Sequence, residues 1–431
     1  MRLHVRNGRV IDPANKVDAI QDLWIADGRI AALGKPPADF RADRTIDAAG
    51  LVVCPGLIDL CAHLREPGQE HKATIASETA AAAAAGITTL VCPPDTDPVI
   101  DTPAVAKLIQ QRAQDTAKAR VLTLGALTQG LEGTQISEMG ALKAAGCTGM
   151  SNARRPVANT LVMRRAMEYA ATHDLTVFLH AEDPWLSNHG CVHEGQVGTR
   201  LGLPGIPEAA ETVAVARDLA LVQQTGVRAH FCRLSTAQAV RMVARAQYDG
   251  LPVSADVSAH HLHLTEIDIG DFNSQCHVLP PLRTQRDREA LRAGLAKGTL
   301  RSICSDHQPH EADAKLAPFA ATEPGISALE TLLPLSLRLV EEGVMSLPEL
   351  IARLTHQPAE LLRMEIGTLS VGTAADVCLF NPDEPWELVP EHMQSRGRNT
   401  PFAGWQFKGR TAITLFKGQV VFERESPVRK K

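Results

Sequence analysis

The chain has 431 residues, 44% of them hydrophobic, enough for a large core built as one α/β barrel with an accessory unit or as two or three domains. Its formal charge of −5 offers no basic surface for nucleic acid. No run of about 18 apolar residues reads as a membrane span, and nine cysteines without a C-x-x-C pair, several inside apolar runs such as "TTLVCPP", read as reduced core thiols.

The opening "MRLHVRNGRVID" reads as a strand with no apolar leader core, so no signal peptide and a cytoplasmic location are expected. Alternating residues around the pairs Asn7–Gly8 and Asp27–Gly28 predict strands joined by tight turns. Short strand runs return near the other end, in "ADVCLFNP" and "TAITLFKGQVVFE". Residues 1–53 and 368–431 are therefore expected to form one composite β domain around a middle unit, 54–367.

That middle unit carries eight apolar, strand-like runs: "LIDLCAH", "ITTLVCPP", "RVLTLGAL", "CTGMSN", "LTVFLHAED", "VRAHFCRLS", "PVSADVSAHH" and "LRSICSDHQPH". Helical stretches separate them, among them "TLVMRRAMEYAATHD", whose apolar and charged residues fall on opposite faces. Eight β-then-α units predict a (β/α)8 barrel; a doubly wound sheet is the structural alternative. "CTGMSN" is the least strand-like of the eight, being short and poor in β-branched residues.

A barrel gathers its chemistry at the C-terminal ends of its strands. Titratable residues do cluster at the ends of the runs: Cys61, His63 and Arg65; Asp95; His180 and Glu182; Arg233; Asp306, His307 and His310. Asn152 ends the fourth. Cys61, His63 and Arg65 share one strand face, because side chains alternate with period two. From spacing alone, Cys61 and His63 are either two metal ligands or a buried thiol beside a hydrogen-bonded histidine. "SDHQPH" suits a general base, Asp306, with a substrate contact at His310. His260, His261 and His263 are read as packing and capping residues.

These stretches, with "PGLIDLCAHLREPG", "LSTAQAV", "PPLR" and "TPFAGWQFKGRTAITLFKGQVVF", resemble the dihydroorotases of the amidohydrolase superfamily over nearly the whole chain. The resemblance implies a TIM barrel plus a small β domain from both termini. It also implies zinc held by an H-x-H pair, a bridging carboxylate or carbamylated lysine, two further histidines and an aspartate. Against that pattern His63, His180 and Asp306 are kept, while Cys61 replaces a histidine, Asn152 the bridging anion and Arg233 another histidine. Among the implied substrate contacts, Arg65 and His310 are kept; Asp95 and Leu279 replace asparagines.

A dinuclear site needs anionic ligands, and a guanidinium cannot deprotonate to bind metal. Unit charges about 4 Å apart interact by roughly 4 kcal/mol at an effective dielectric near 20, so Arg233 and a dication compete for one place. Arg233 is expected to reach toward Asp306 as a counter-ion. The sequence thus reads as a catalytically inert member with no cofactor. It resembles the non-catalytic chains that assemble with aspartate carbamoyltransferase in pyrimidine biosynthesis, which implies that partner and a homo-oligomer within the complex. Two alternatives stand: one Zn²⁺ at Cys61, His63 and Asp306 in an active cyclic-amide hydrolase, or a small-molecule sensor using the residual pocket. The order of the segment from His263 to Asp287 is left open.

Overall fold

The structure is a computed structural model that describes residues 1–425. Eight parallel strands form the barrel sheet, in the order β6 (Leu57–Asp59), β7 (Ile87–Cys92), β8 (Arg120–Ala126), β9 (Gly149–Ser151), β10 (Val177–His180), β13 (Ala229–Cys232), β14 (Val253–Ser258) and β15 (Ser302–Cys304). All eight predicted runs become these strands, and "CTGMSN" yields the three-residue β9. The seam between the first and last strands is bridged where His63 N donates to His307 O (2.9 Å) and His307 N to Cys61 O (3.2 Å). A short two-stranded ribbon, β11 (Val192–His193) with β12 (Gly205–Ile206), lies between β10 and β13 in the chain.

A second sheet draws on both ends of the chain. It comprises β1 (Leu3–Asp12), β2 (Val17–Ala26), β3 (Arg29–Leu33), β4 (Arg44–Asp47), β5 (Val52–Pro55), β16 (Val377–Glu387), β17 (Gln406–Phe416) and β18 (Gln419–Glu423). β5 pairs with both β1 and β16, so residues from the two termini share one ladder. Asp27 and Gly28, at φ 51° and 74°, make the predicted turn between β2 and β3.

Asn7–Gly8 does not turn the chain. It forms a bulge within β1, with Asn7 at φ 62° and the register shifting between Val5 and Gly8. The local signal was real, since Asn tolerates positive φ. A tertiary contact decides its use: a Cβ on Gly8 would lie 2.5 Å from Val53 Cγ2 of β5.

The core divides accordingly. Leu3, Val5, Leu23, Ile25, Val53, Val377, Leu379 and Leu415 pack in the terminal sheet. Ile58, Leu60, Val91, Leu124, Phe178, Cys232 and Cys304 form a cluster from alternating positions of the barrel strands. All nine cysteines are buried and unpaired. Among the described residues, no helix is long and apolar enough to cross a membrane.

Candidate functional site

The ends of β6, β13 and β15 bring Cys61, Arg233 and Asp306 together. Asp59, fully buried at the end of β6, accepts from Cys61 N (3.3 Å) and Ser305 N (2.8 Å), fixing the two strand ends against each other. Arg233 follows β13 in a left-handed turn (φ 54°), with its amide held by the Asp256 carboxylate. Asp306 follows β15 with φ 49°. Such non-glycine residues at positive φ are uncommon and collect where surrounding structure over-determines them.

Arg233 Nη1 lies 3.0 Å from Cys61 Sγ, and Nε lies 3.3 Å from Asp306 Oδ1. The second contact is an ion pair off the line of a hydrogen bond. Both side chains are nearly closed to solvent, at 7% and 2% exposure. Burial pushes the Cys61 thiol well up, against the pull of Arg233, so it stays protonated.

His63 is spent on the protein as well. Its Nε2 meets Asp95 Oδ2 at 3.1 Å and its Nδ1 meets His307 O at 3.3 Å, which leaves neither ring nitrogen free. Burial alone would push the Asp95 carboxyl up; His63, with Arg154 and Arg65 behind it, holds it well below the usual carboxylate range. His180 Nε2 pairs with Glu182 Oε2 at 3.1 Å.

The donor atoms of Cys61, His63 and Asp306 lie within 4.8 Å of one another, close enough for metal ligands. They do not fit zinc as they stand. Arg233 contacts two of the three, and the third has both nitrogens engaged.

Asn152 faces away from this centre. Its Oδ1 accepts from Thr128 Oγ1 (2.8 Å) and Thr128 N (3.3 Å), and its Nδ2 donates to Leu131 O (3.2 Å) and Arg155 O (2.7 Å). Asn152→Asp would set a carboxylate oxygen against two carbonyl oxygens. It is expected to cost about 1–3 kcal/mol in urea unfolding, without conferring zinc binding.

The substrate-contact positions are occupied from within. Arg65 donates to Pro309 O (3.0 Å) and Gln69 Oε1 (3.1 Å), and its Nη2 meets His310 Nε2 at 3.1 Å. Lys72 Nζ approaches the other His310 nitrogen at 3.3 Å. Burial, then Arg65 and Lys72, lower His310 to about 2, so the ring stays neutral; with Pro324 O at 3.2 Å from Nε2, that nitrogen carries the proton and Nδ1 accepts. Leu279 sits partly buried in the long segment after β14, which forms three 3₁₀ turns, Ala259–Leu262, Glu266–Ile269 and Ser274–Cys276. His261 bonds Ser258 Oγ (2.6 Å) and Pro281 O (3.2 Å), and His263 bonds Leu335 O (2.7 Å), as packing residues do.

Sequence reasoning missed two things: the His63–Asp95 pair and Arg154. The signal for the first was a carboxylate, Asp95, standing in for an asparagine near the retained His63 at one barrel end. The signal for the second was the doubled arginine in "MSNARRPV".

The described residues form a parallel eight-stranded barrel with an appended β sheet and polar strand ends, a fold shared with solved hydantoinases. L-hydantoinase from Arthrobacter aurescens superposes with a TM-score of 0.88, covering 98% of this chain and 96% of its own at 23% identity, a likeness of fold alone. A family model described as "Dihydro-orotase-like" matches residues 50–239. A "Dihydroorotase-like protein" from Pseudomonas aeruginosa is 52% identical over 423 residues, 98% of this chain and 100% of that one. A "Dihydroorotase" from Geobacter sp. is 43% identical over 423 residues, again 98% and 100% of the two chains. The chain belongs to the dihydroorotase-like family.

Proposed function

We propose that this chain is a non-catalytic dihydroorotase-like protein that serves as an assembly subunit for aspartate carbamoyltransferase in pyrimidine biosynthesis, in the cytoplasm and as a homo-oligomer. The observation that carries the loss of catalysis is the Cys61–Arg233–Asp306 contact, a guanidinium among would-be metal ligands. The engagement of His63 by Asp95 and of Arg65 by Gln69 and His310 supports the same reading. The carbamoyltransferase partner rests on the resemblance to non-catalytic chains that assemble with that enzyme. Relatives carry both "Dihydroorotase-like protein" and "Dihydroorotase" as names, so relatedness alone does not choose between inert and active forms.

The test has two arms. The purified chain is expected to hold no stoichiometric zinc and to turn over neither carbamoyl aspartate nor dihydroorotate. Mixed with the carbamoyltransferase catalytic chain, it is expected to co-purify and shift that enzyme to a larger species in sedimentation. Turnover that scales with one zinc per chain would establish the mononuclear hydrolase instead. An unchanged assembly state would remove the scaffold role.

A further inference from the structure

The loop after β9 continues through Asn152, Ala153 and Arg154. Ala153 takes a left-handed φ of 50° and Asn152 is tied into the loop by its hydrogen bonds. Arg154 thereby lines a cavity of about 20 Å³ together with Cys61, His63, His180 and Arg233. Its Nη1 is buried and has no hydrogen-bond partner. A buried donor left unmade is costly, and doubly so on a charged group.

The carboxylates near this cavity each face another side chain, although Asp95 Oδ1 is buried without a hydrogen-bond partner. Asp306 faces Arg233 at 3.3 Å, Asp95 faces His63 at 3.1 Å and Glu182 faces His180 at 3.1 Å. Arg154 Nη1 hydrogen-bonds to none of them. Another unpartnered atom, His180 Nδ1, belongs to a side chain only 4% exposed on the same cavity wall. The volume suits one or two water-sized atoms, since one water needs about 10–15 Å³. It excludes a pyrimidine ring.

We propose that this cavity is a small-anion site, holding chloride or the head of a small carboxylate against Arg154 Nη1. The proposal rests on the reading that no metal occupies the barrel mouth, because an anion here takes the space a metal would need. The anion supplies the acceptor that Nη1 lacks and leaves the three existing pairs intact.

Thermal unfolding of the full chain at fixed ionic strength tests this, with sodium chloride or sodium formate replacing sodium gluconate. The unfolding temperature is expected to rise saturably with chloride, with formate or with both. The rise should persist in Arg155→Gln, on the exposed neighbour, and vanish in Arg154→Gln. Chloride alone identifies an inorganic anion; formate alone identifies a carboxylate head. No saturable rise with either salt, or an equal rise in Arg154→Gln, overturns the site. Should Arg154→Gln fail to fold, crystals of the native chain grown in bromide decide the matter. An anomalous peak within hydrogen-bond distance of Arg154 supports the site; its absence, together with no saturable rise of the native chain in formate, overturns it. Zinc-dependent turnover would refute the inert reading by a separate assay, so the two failures are distinguishable.

Discussion

Arg233→Leu is expected to destabilise the barrel by about 3–5 kcal/mol in urea unfolding, the range seen when one partner of a buried ion pair is removed. Asp306 is 2% exposed, and its remaining close neighbours are the Cys61 thiol at 3.5 Å and Gln308 Nε2 at 3.4 Å. Neither carries the positive charge that a buried carboxylate needs. Adding Asp306→Asn to Arg233→Leu should return much of the loss, because the stranded charge is then gone; the double-mutant cycle reads the coupling directly. Arg233→His carries the same argument to the metal. Removing the guanidinium returns Cys61 and Asp306 to a cation and adds an imidazole beside them. Zinc is expected to stabilise Arg233→His, by about 2.7 kcal/mol at a hundred times its dissociation constant, and to leave the native chain unchanged. Equal stabilisation of both proteins would show that Arg233 does not hold the metal's place.

The barrel could be read from the sequence because each strand run is apolar, ends in polar residues and alternates with a helical pattern. Those are local signals with a fixed period. The bulge at Asn7–Gly8 could not, because the choice between turn and bulge lies with Val53 on a neighbouring strand. At the site, the identity of each departure was visible residue by residue, but their complementarity was not. Cys61 and Arg233 stand 172 positions apart, and only barrel closure sets them 3.0 Å from each other. Asp95 stands at a position implied to contact substrate; in the structure it faces His63. Asn152 showed a lost charge, but its new work depends on Thr128, Leu131 and Arg155, whose loop geometry no pattern encodes. Sequence therefore reveals which chemistry has been removed more readily than what the replacements do.

The second large effect is expected at Glu78, which is not among the positions that depart from the family pattern. Glu78 lies in the helix Ile75–Ala84, and both it and His307 are fully buried. Its Oε2 meets His307 Nε2 and Ser395 Oγ, each at 2.7 Å; its Oε1 accepts from Ser77 Oγ (2.7 Å) and from Arg396 N (3.1 Å). His307 Nδ1 accepts from Ala328 N at 2.9 Å, so in the neutral ring the proton sits on Nε2 and points at Glu78. The backbone of His307 closes the barrel seam through Cys61 and His63. One carboxylate thus ties a barrel helix, the seam and the segment at Ser395–Arg396 together. Glu78→Leu strands two or more buried donors and is expected to cost about 3–5 kcal/mol. Glu78→Gln is not conservative here. Its amide group must face either the His307 N–H or the Arg396 N–H, and His307 cannot switch tautomer without abandoning Ala328. About 1–3 kcal/mol is expected for it. Although burial opposes it, the contact with His307 lowers the Glu78 pKa below its ordinary value. A depressed carboxyl stabilises the fold above its unfolded pKa of about 4.3 and loses that contribution as pH falls through the folded value. The difference in unfolding free energy between native and Glu78→Gln should therefore be constant from pH 8 to 6 and shrink below pH of about 4.3. A difference that stays flat into that acid range would show that the carboxylate charge contributes nothing to holding the seam.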